Sequence, residues 1–334
     1  MKTDKKITIL VVTFNRSFCI ERLLKYYVSR GFDQNIIVAD ASDSEFVLKN
    51  KQIYKSVEDS LSLSVKFLNG YSVIECFDSI LKEVDTEYAV INPDDDFHIP
   101  SSLSRMSKFL DDNPSYAGVN GDVISEVEEN IDNNKTIVKG TGMYTMRSIY
   151  GKNSIERSDN LLKNYFGVLF SVFRTEVLQS AYSSVPGDGV FANELIPAYR
   201  AASIGNIGHI NLLCLVRSCH ENRLYTPPLG KLILESSWSD NINLFREDFN
   251  RFNGLNNESG EHLLEFDNIM AKYFSNLFKN NSNFYFHSFA ILIKKVLNLN
   301  KHFMIKGYRN PFYTGSKEIM FIVDAVEGKL QEYK

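Results

Sequence analysis

Three consecutive carboxylates, Asp94-Asp95-Asp96, follow the apolar run Tyr88 to Ile91 and an Asn92-Pro93 step. Clustered carboxylates raise one another's pKa unless a cation compensates. Mg²⁺ or Mn²⁺ favours such oxygens and typically completes its shell with substrate phosphates. Alternate residues of an extended segment point the same way, which would place Asp94 and Asp96 at one metal and turn Asp95 aside. A triple Asp can equally be a solvated acidic turn or a helix cap. Its place at the end of a fourth strand favours the metal, with Asp94 and Asp95 also facing the nucleotide that carries the phosphates.

Two further strand ends carry polar groups. Asp40 closes the run Ile36 to Ala39, where its carboxylate can accept from a base N–H or a ribose hydroxyl. Asp43 is expected instead to cap the helix that follows. Thr13, Phe14, Asn15 and Arg16 end the first strand and can line a nucleotide cleft, Arg16 lying near phosphate or base. Arg217 follows a late apolar run and could neutralise phosphate charge through paired hydrogen bonds. No GxGxxG or Walker-type loop is present, which argues against a dinucleotide enzyme and a P-loop NTPase.

The elements that must position these groups alternate in character. Ile7 to Phe14 is a β-branched run suited to a strand buried on both faces. Helical spacing follows from Cys19 to Gly31, and further strands are expected at Ile36 to Ala39, Ser64 to Leu68 and Tyr88 to Ile91, separated by helices near 44–57 and 72–84. This β-α-β-α rhythm predicts a doubly wound α/β sheet with ligand groups at the carboxyl ends of its strands. Beyond the aspartates a helix is expected over Ser101 to Leu110, strands at Tyr116 to Ser125, Lys135 to Gly140 and His209 to Val216, and a helix from about Asn193 to Ser203. Thr226-Pro227-Pro228-Leu229-Gly230 marks a boundary between residues 1–225 and a mostly helical 226–334.

Composition narrows the partners. The 334 residues carry 37 basic and 41 acidic side chains, a net charge of -4, and 44% apolar residues. That gives a soluble core and no basic field, so nucleic acid is not an expected partner. The four cysteines lack CxxC spacing and read as buried thiols of a reducing cytoplasm. The opening Met1 to Lys6 leads straight into a strand, so no leader is expected, and the run Ser288 to Ile293 is too short to span a bilayer.

Taken together, Val11 to Arg16, Val38 to Ser42 and Val90 to Asp96 resemble the three N-terminal signatures of family 2 GT-A glycosyltransferases. The resemblance extends over about Ile7 to Asn222. It implies a Rossmann-like, mostly parallel central sheet of the GT-A type with a helical C-terminal appendage. It further implies a nucleotide-lining first motif, a base-contacting Asp40 and a metal-binding DxD served by Mn²⁺ or Mg²⁺. Asn193-Glu194, followed by Arg200, resembles the family's acidic segment, which implies that Glu194 is the catalytic base of an inverting transfer. Asp188, in a Gly-flanked loop, is the competing base. His220 corresponds to a histidine that in many such enzymes completes the metal shell. Ala39 and Asn193 depart from the pattern, where relatives carry acids.

The implied reaction moves a sugar from a nucleotide-sugar, UDP favoured over GDP, dTDP or CMP, to a glycan or lipid-linked acceptor in surface polysaccharide synthesis. A metal-dependent nucleotidyltransferase and a non-catalytic nucleotide-sugar-binding scaffold are the alternatives. Residues 291–310 hold Lys294, Lys295, Lys301, Lys306 and Arg309 without an acid. They suit peripheral attachment of a cytoplasmic protein to the inner face of the membrane, packing against the catalytic domain, or a homodimer contact.

Overall fold

A computed structural model of the chain describes residues 5–132, 135–144, 146–219, 237–255 and 265–276. The first half winds as expected. Strand β1 (Ile7–Thr13), helix α1 (Ser17–Ser29), β2 (Asn35–Asp40), α2 (Ser44–Val57), β3 (Ser62–Phe67), α3 (Val73–Leu81) and β4 (Tyr88–Ile91) follow in turn. These four strands lie side by side in the order β3-β2-β1-β4 and all run parallel. The β-branched runs explain this, since Ile9, Leu10, Val11, Val38, Ala39 and Val90 are wholly buried between the covering helices. Helix α3 starts on a capping box in which Ser72 and Glu75 satisfy each other's backbone N–H groups. The register aligns Thr13 with Asp40 and Asp40 with Phe67, so three strand ends finish at one level.

The second half extends the sheet in mixed sense. It contains β5 (Phe97–His98), α4 (Pro100–Asp112), β6 (Tyr116–Asp132), β7 (Lys135–Tyr144) and α5 (Ser154–Leu162). A 3₁₀ turn (Val168–Phe170), β8 (Val172–Arg174), α6 (Thr175–Tyr182), a turn of π-helix (Phe191–Leu195), α7 (Ile196–Ile204) and β9 (Asn206–Cys219) complete it. The nine-stranded sheet has the order β3-β2-β1-β4-β8-β6-β9-β5, with β7 paired to β6. Strand β8 is antiparallel to both β4 and β6, whereas β6 and β9 are parallel. Strands β6, β7 and β9 outrun their expected limits because they pair with one another along their length. Gly121 sits at a register shift between β6 and β9, where a Cβ would strike the Leu212 carbonyl. The helix expected from Asn193 begins instead at Ile196, after the π-turn.

Helix α8 (Trp238–Phe252) and a helical segment at 265–276 pack onto α7 and the π-turn through a second aromatic-rich cluster. Phe191, Tyr199, Phe245, Phe249 and Phe266 form its centre. Beneath it Asp248, 2% exposed, accepts from the Tyr199 hydroxyl, from Arg200 Nε at 2.8 Å and from Arg251 at 2.6 Å. Arg200 also donates to the Ala181 and Ser183 carbonyls, so one guanidinium ties α6, α7 and α8. Burial works against the Asp248 charge, and the donors from Arg200 and Tyr199 outweigh it, holding its carboxyl below the usual range. The boundary at 226–230 and the basic stretch 291–310 lie outside the described residues. Among those described, no helix is long and apolar enough to cross a membrane.

Breaking a buried pair from one side leaves the other charge uncompensated. Asp248→Ala is therefore expected to lose about 3–5 kcal/mol in urea unfolding at neutral pH. The double variant Asp248→Leu with Arg200→Met should recover only part of that loss, because the Ala181 and Ser183 carbonyls and the Tyr199 hydroxyl lose their partners.

Candidate active site

The three aspartates do not continue β4 as an extended strand. Asp96 N–H closes a turn onto the Pro93 carbonyl at 3.1 Å, and the Asn92 amide braces it by donating to the Pro93 and Asp96 carbonyls. Asn92 is itself fixed by the Tyr27 hydroxyl at 2.9 Å. The alternation expected of an extended segment is thereby lost. Asp94 and Asp95 share one partner, with Arg16 Nη2 at 3.1 Å from Asp94 Oδ1 and 2.5 Å from Asp95 Oδ2. Asp96 turns away to Arg217 Nε at 3.3 Å and accepts the Ser218 backbone N–H at 3.0 Å. All three are nearly enclosed, at 3%, 5% and 1% exposed.

Strand ends supply the rest of this wall. Thr13 Oγ1 donates to Asp94 Oδ2 at 2.7 Å. Arg22, reaching from α1, donates to the Asp95 carbonyl and to Ser218 Oγ. Asn15 adopts a left-handed backbone, φ 54°, and its N–H donates to Ser42 Oγ. Its amide pairs reciprocally with Asp43, at 2.7 and 2.8 Å. Asp43 occupies the N-cap position of α2 but makes no side-chain cap, because its carboxylate is committed to Asn15. Phe14 stays 56% exposed on the same loop, with its ring free for a flat partner.

Asp40 is wholly enclosed and accepts from the Ser42 N–H at 3.0 Å, Asn50 Nδ2 at 2.9 Å and the Tyr54 hydroxyl at 2.8 Å. Its carboxylate thus organises the β2–α2 loop behind Asn15. Burial and then the Asp40 charge push the Tyr54 phenol far above its ordinary range.

Glu194 lies in the π-turn, not at a helix N-terminus, and is half-buried. Burial raises its carboxyl, opposed by the nearby Tyr165 hydroxyl and by the Arg217 charge. Arg217 pairs with Asp96, lies near enough for its charge to reach Glu194, and stacks 4.5 Å from the centre of the Phe170 ring. Tyr165 meets Tyr273 of the 265–276 segment edge-on, with ring centres 6.3 Å apart. The competing acid Asp188 is turned elsewhere. Its carboxylate accepts from Asn241 of α8 at 2.5 Å, and its N–H donates back to Asn241 at 3.2 Å.

His220 lies outside the described residues. His98 is buried in β5 with Nε2 at 3.2 Å from the Ile91 carbonyl, and burial lowers its pKa to about 4, so it is neutral. Among the described residues no group of three or more His, Cys, Asp and Glu converges to hold a metal by itself. The donor set does fit a cation that takes one or two carboxylates from the protein and the remainder from phosphate. Sequence reasoning missed Ser218, Arg22, Asn92 and Tyr165. Of these only Asn92, inside the aspartate motif, had a position that could have flagged it.

No protein-family model matches the chain. A GalNAc(5)-diNAcBac-PP-undecaprenol beta-1,3-glucosyltransferase of Campylobacter jejuni subsp. jejuni serotype O:2 is 24% identical to it over 178 residues, 52% of this chain and 53% of that one. The chain thus spans about half the length of that curated relative. Among solved structures, TarS 1-349 of S. aureus superposes with a TM-score of 0.51 at 13% identity, covering 98% of this chain and 82% of that one. The α/β fold with a helical C-terminal region, expected from the GT-A resemblance, is the fold observed.

Burial first, and then the neighbouring Asp95 charge, push the Asp96 carboxyl up to about 7 against Arg217 and the Ser218 N–H. A raised folded-state pKa means the folded protein keeps a proton that the unfolded chain has released above its own, lower pKa. Stability in EDTA should therefore fall as pH rises from about 4 to 7, by ~4 kcal/mol at most, and then level off. Thermal unfolding followed across that range checks this, and Asp96→Asn should flatten the slope.

Proposed function

We propose that this chain is a glycosyltransferase that takes a sugar from a nucleotide-sugar, with UDP favoured, and passes it to a hydroxyl of a glycan or lipid-linked acceptor. The observation that carries this reading is the enclosed Asp94-Asp95-Asp96 turn at the end of β4, with Arg16 and Arg217 on it and Glu194 within reach of the Arg217 charge. The glucosyltransferase relative bears an undecaprenol diphosphate-linked substrate in its name, which supports a lipid-linked acceptor in surface-glycan synthesis.

In this reading Asp94 takes Mn²⁺ or Mg²⁺, Asp96 joins it by leaving Arg217, and His220 is a further ligand. When bound, the cation offsets charge on the departing nucleoside diphosphate. Thr13, Phe14, Asn15, Asp95 and Arg16 line the nucleotide. Phe14 offers its exposed ring to the base, and Asp40 sets the loop that receives it. Arg217 supplies a second positive charge to the diphosphate, through a guanidinium held in place by Phe170.

Glu194 then takes the proton of the acceptor hydroxyl. Its raised pKa makes it a stronger base than an ordinary glutamate. A base on the side opposite the leaving diphosphate gives in-line attack at the anomeric carbon and inversion. Asp188 is the lesser candidate because Asn241 holds its carboxylate toward α8.

Calorimetry with UDP, GDP, dTDP and CMP, each with Mn²⁺, Mg²⁺ or EDTA, tests the donor side. One nucleotide is expected to bind only with metal and to lose that binding in Asp94→Ala. No nucleotide binding in any condition would leave the reading without support. Glu194→Gln is expected to lower kcat by at least about 100-fold while nucleotide binding stays as in the wild type. A near-normal rate would remove Glu194 from the role of base.

A further inference from the structure

Arg16 occupies an unusual position for a residue expected near phosphate. Its Nη2 bridges two different carboxylates, 3.1 Å from Asp94 Oδ1 and 2.5 Å from Asp95 Oδ2. Those side chains are 4% and 6% exposed, whereas Arg16 leaves 21% of its own open. The guanidinium therefore closes the mouth of the acidic turn from the solvent side. Asp96 is engaged separately, by Arg217 and the Ser218 N–H, so Arg16 serves the Asp94 side of the cluster.

The backbone beneath Arg16 is anchored without its side chain. Asn15 fixes the loop to Ser42 and Asp43, and Cys19 and Ile20 donate their N–H groups to the Arg16 carbonyl. A further side-chain contact is a weak one to Cys19 Sγ at 3.5 Å. The guanidinium can therefore leave the carboxylates while the loop keeps its shape. A diphosphate offers it the planar, paired acceptors that guanidinium groups favour.

A guanidinium and a divalent cation compete for the same carboxylate oxygens, and their like charges repel across a poorly screened site. We propose that Arg16 is a built-in competitor for the divalent cation, neutralising Asp94 and Asp95 in the free protein and moving to the donor diphosphate when it arrives. Cation and nucleotide then load together, and bare protein takes up little metal. This rests on the reading that Asp94 helps to hold the cation. By linkage, whatever factor the nucleotide adds to cation affinity, the cation adds to nucleotide affinity.

The test is Mn²⁺ titration of the full chain by electron paramagnetic resonance, with and without UDP, for wild type, Arg16→Gln and Arg16→Lys. Circular dichroism establishes that each is folded. Without nucleotide, Arg16→Gln is expected to bind Mn²⁺ about tenfold or more tighter than wild type, as removal of a like charge from a partly screened site predicts. Arg16→Lys should stay close to wild type, and UDP should tighten Mn²⁺ binding much more in wild type than in Arg16→Gln. Should Arg16→Gln fail to fold, Arg16→Gln with Asp95→Asn is compared with Asp95→Asn alone, and the same tightening is expected. If wild type binds Mn²⁺ with UDP but Arg16→Gln is no tighter without it, the competitor role is overturned and the metal site stands. Failure of every form to bind Mn²⁺, with or without UDP, overturns the metal reading itself.

Discussion

Three adjacent carboxylates taken out of water at the end of one strand are the constraint around which the rest is arranged. Each costs several kcal/mol to bury unless positive charge or N–H donors meet it. The protein meets them from two sides, with Arg16 from the loop after β1, and Arg217 and the Ser218 backbone from β9. These donors lie far apart in sequence. The sheet order puts β1 beside β4, and the antiparallel pairing of β9 with β5 brings Arg217 and Ser218 back beside the turn. A parallel half that holds the loops after β1 and β2 is thus joined to a mixed half that returns counter-charge to the same turn.

The other side of the site depends on irregularity. A π-turn precedes α7, and it is in this turn that Glu194 lies near Arg217, Tyr165 and Tyr273. Such turns carry an extra residue within a helical run and re-aim a side chain at the cost of poorer hydrogen bonding. The packing of α8 and the 265–276 segment against Phe191 and Tyr199 offsets that cost.

How much of this was legible depended on whether the determining interaction was local. Strands β1, β2 and β4 announce themselves through uninterrupted apolar runs, and their ends locate Thr13, Asp40 and the aspartates. The lengths of β6, β7 and β9 were not legible, because pairing between distant strands sets them. The expected alternation of Asp94 and Asp96 failed because the Pro93 carbonyl accepts from Asp96 and bends the chain. Asp43 carries the signature of a cap, yet Asn15, twenty-eight residues earlier, claims it. The choice between Glu194 and Asp188 rested on a helix start that is a π-turn in the structure. What separates the two acids is Asn241, fifty-three residues past Asp188, which no local pattern could reveal.

The aromatic cluster around Tyr199 and Phe245 straddles the boundary expected from sequence at 226–230, with Leu162, Phe191 and Tyr199 before it and Phe245, Phe249 and Phe266 after. Asp248 and Arg200 repeat that division as an ion pair. A cut at that point would therefore give two fragments, each with a raw oily face and one half of a broken charge couple. Neither could be traded alone for its counterpart from another enzyme. Recombination that preserves folding has to inherit α7 and α8 as a unit, so residues on either side of that point are bound to diverge together.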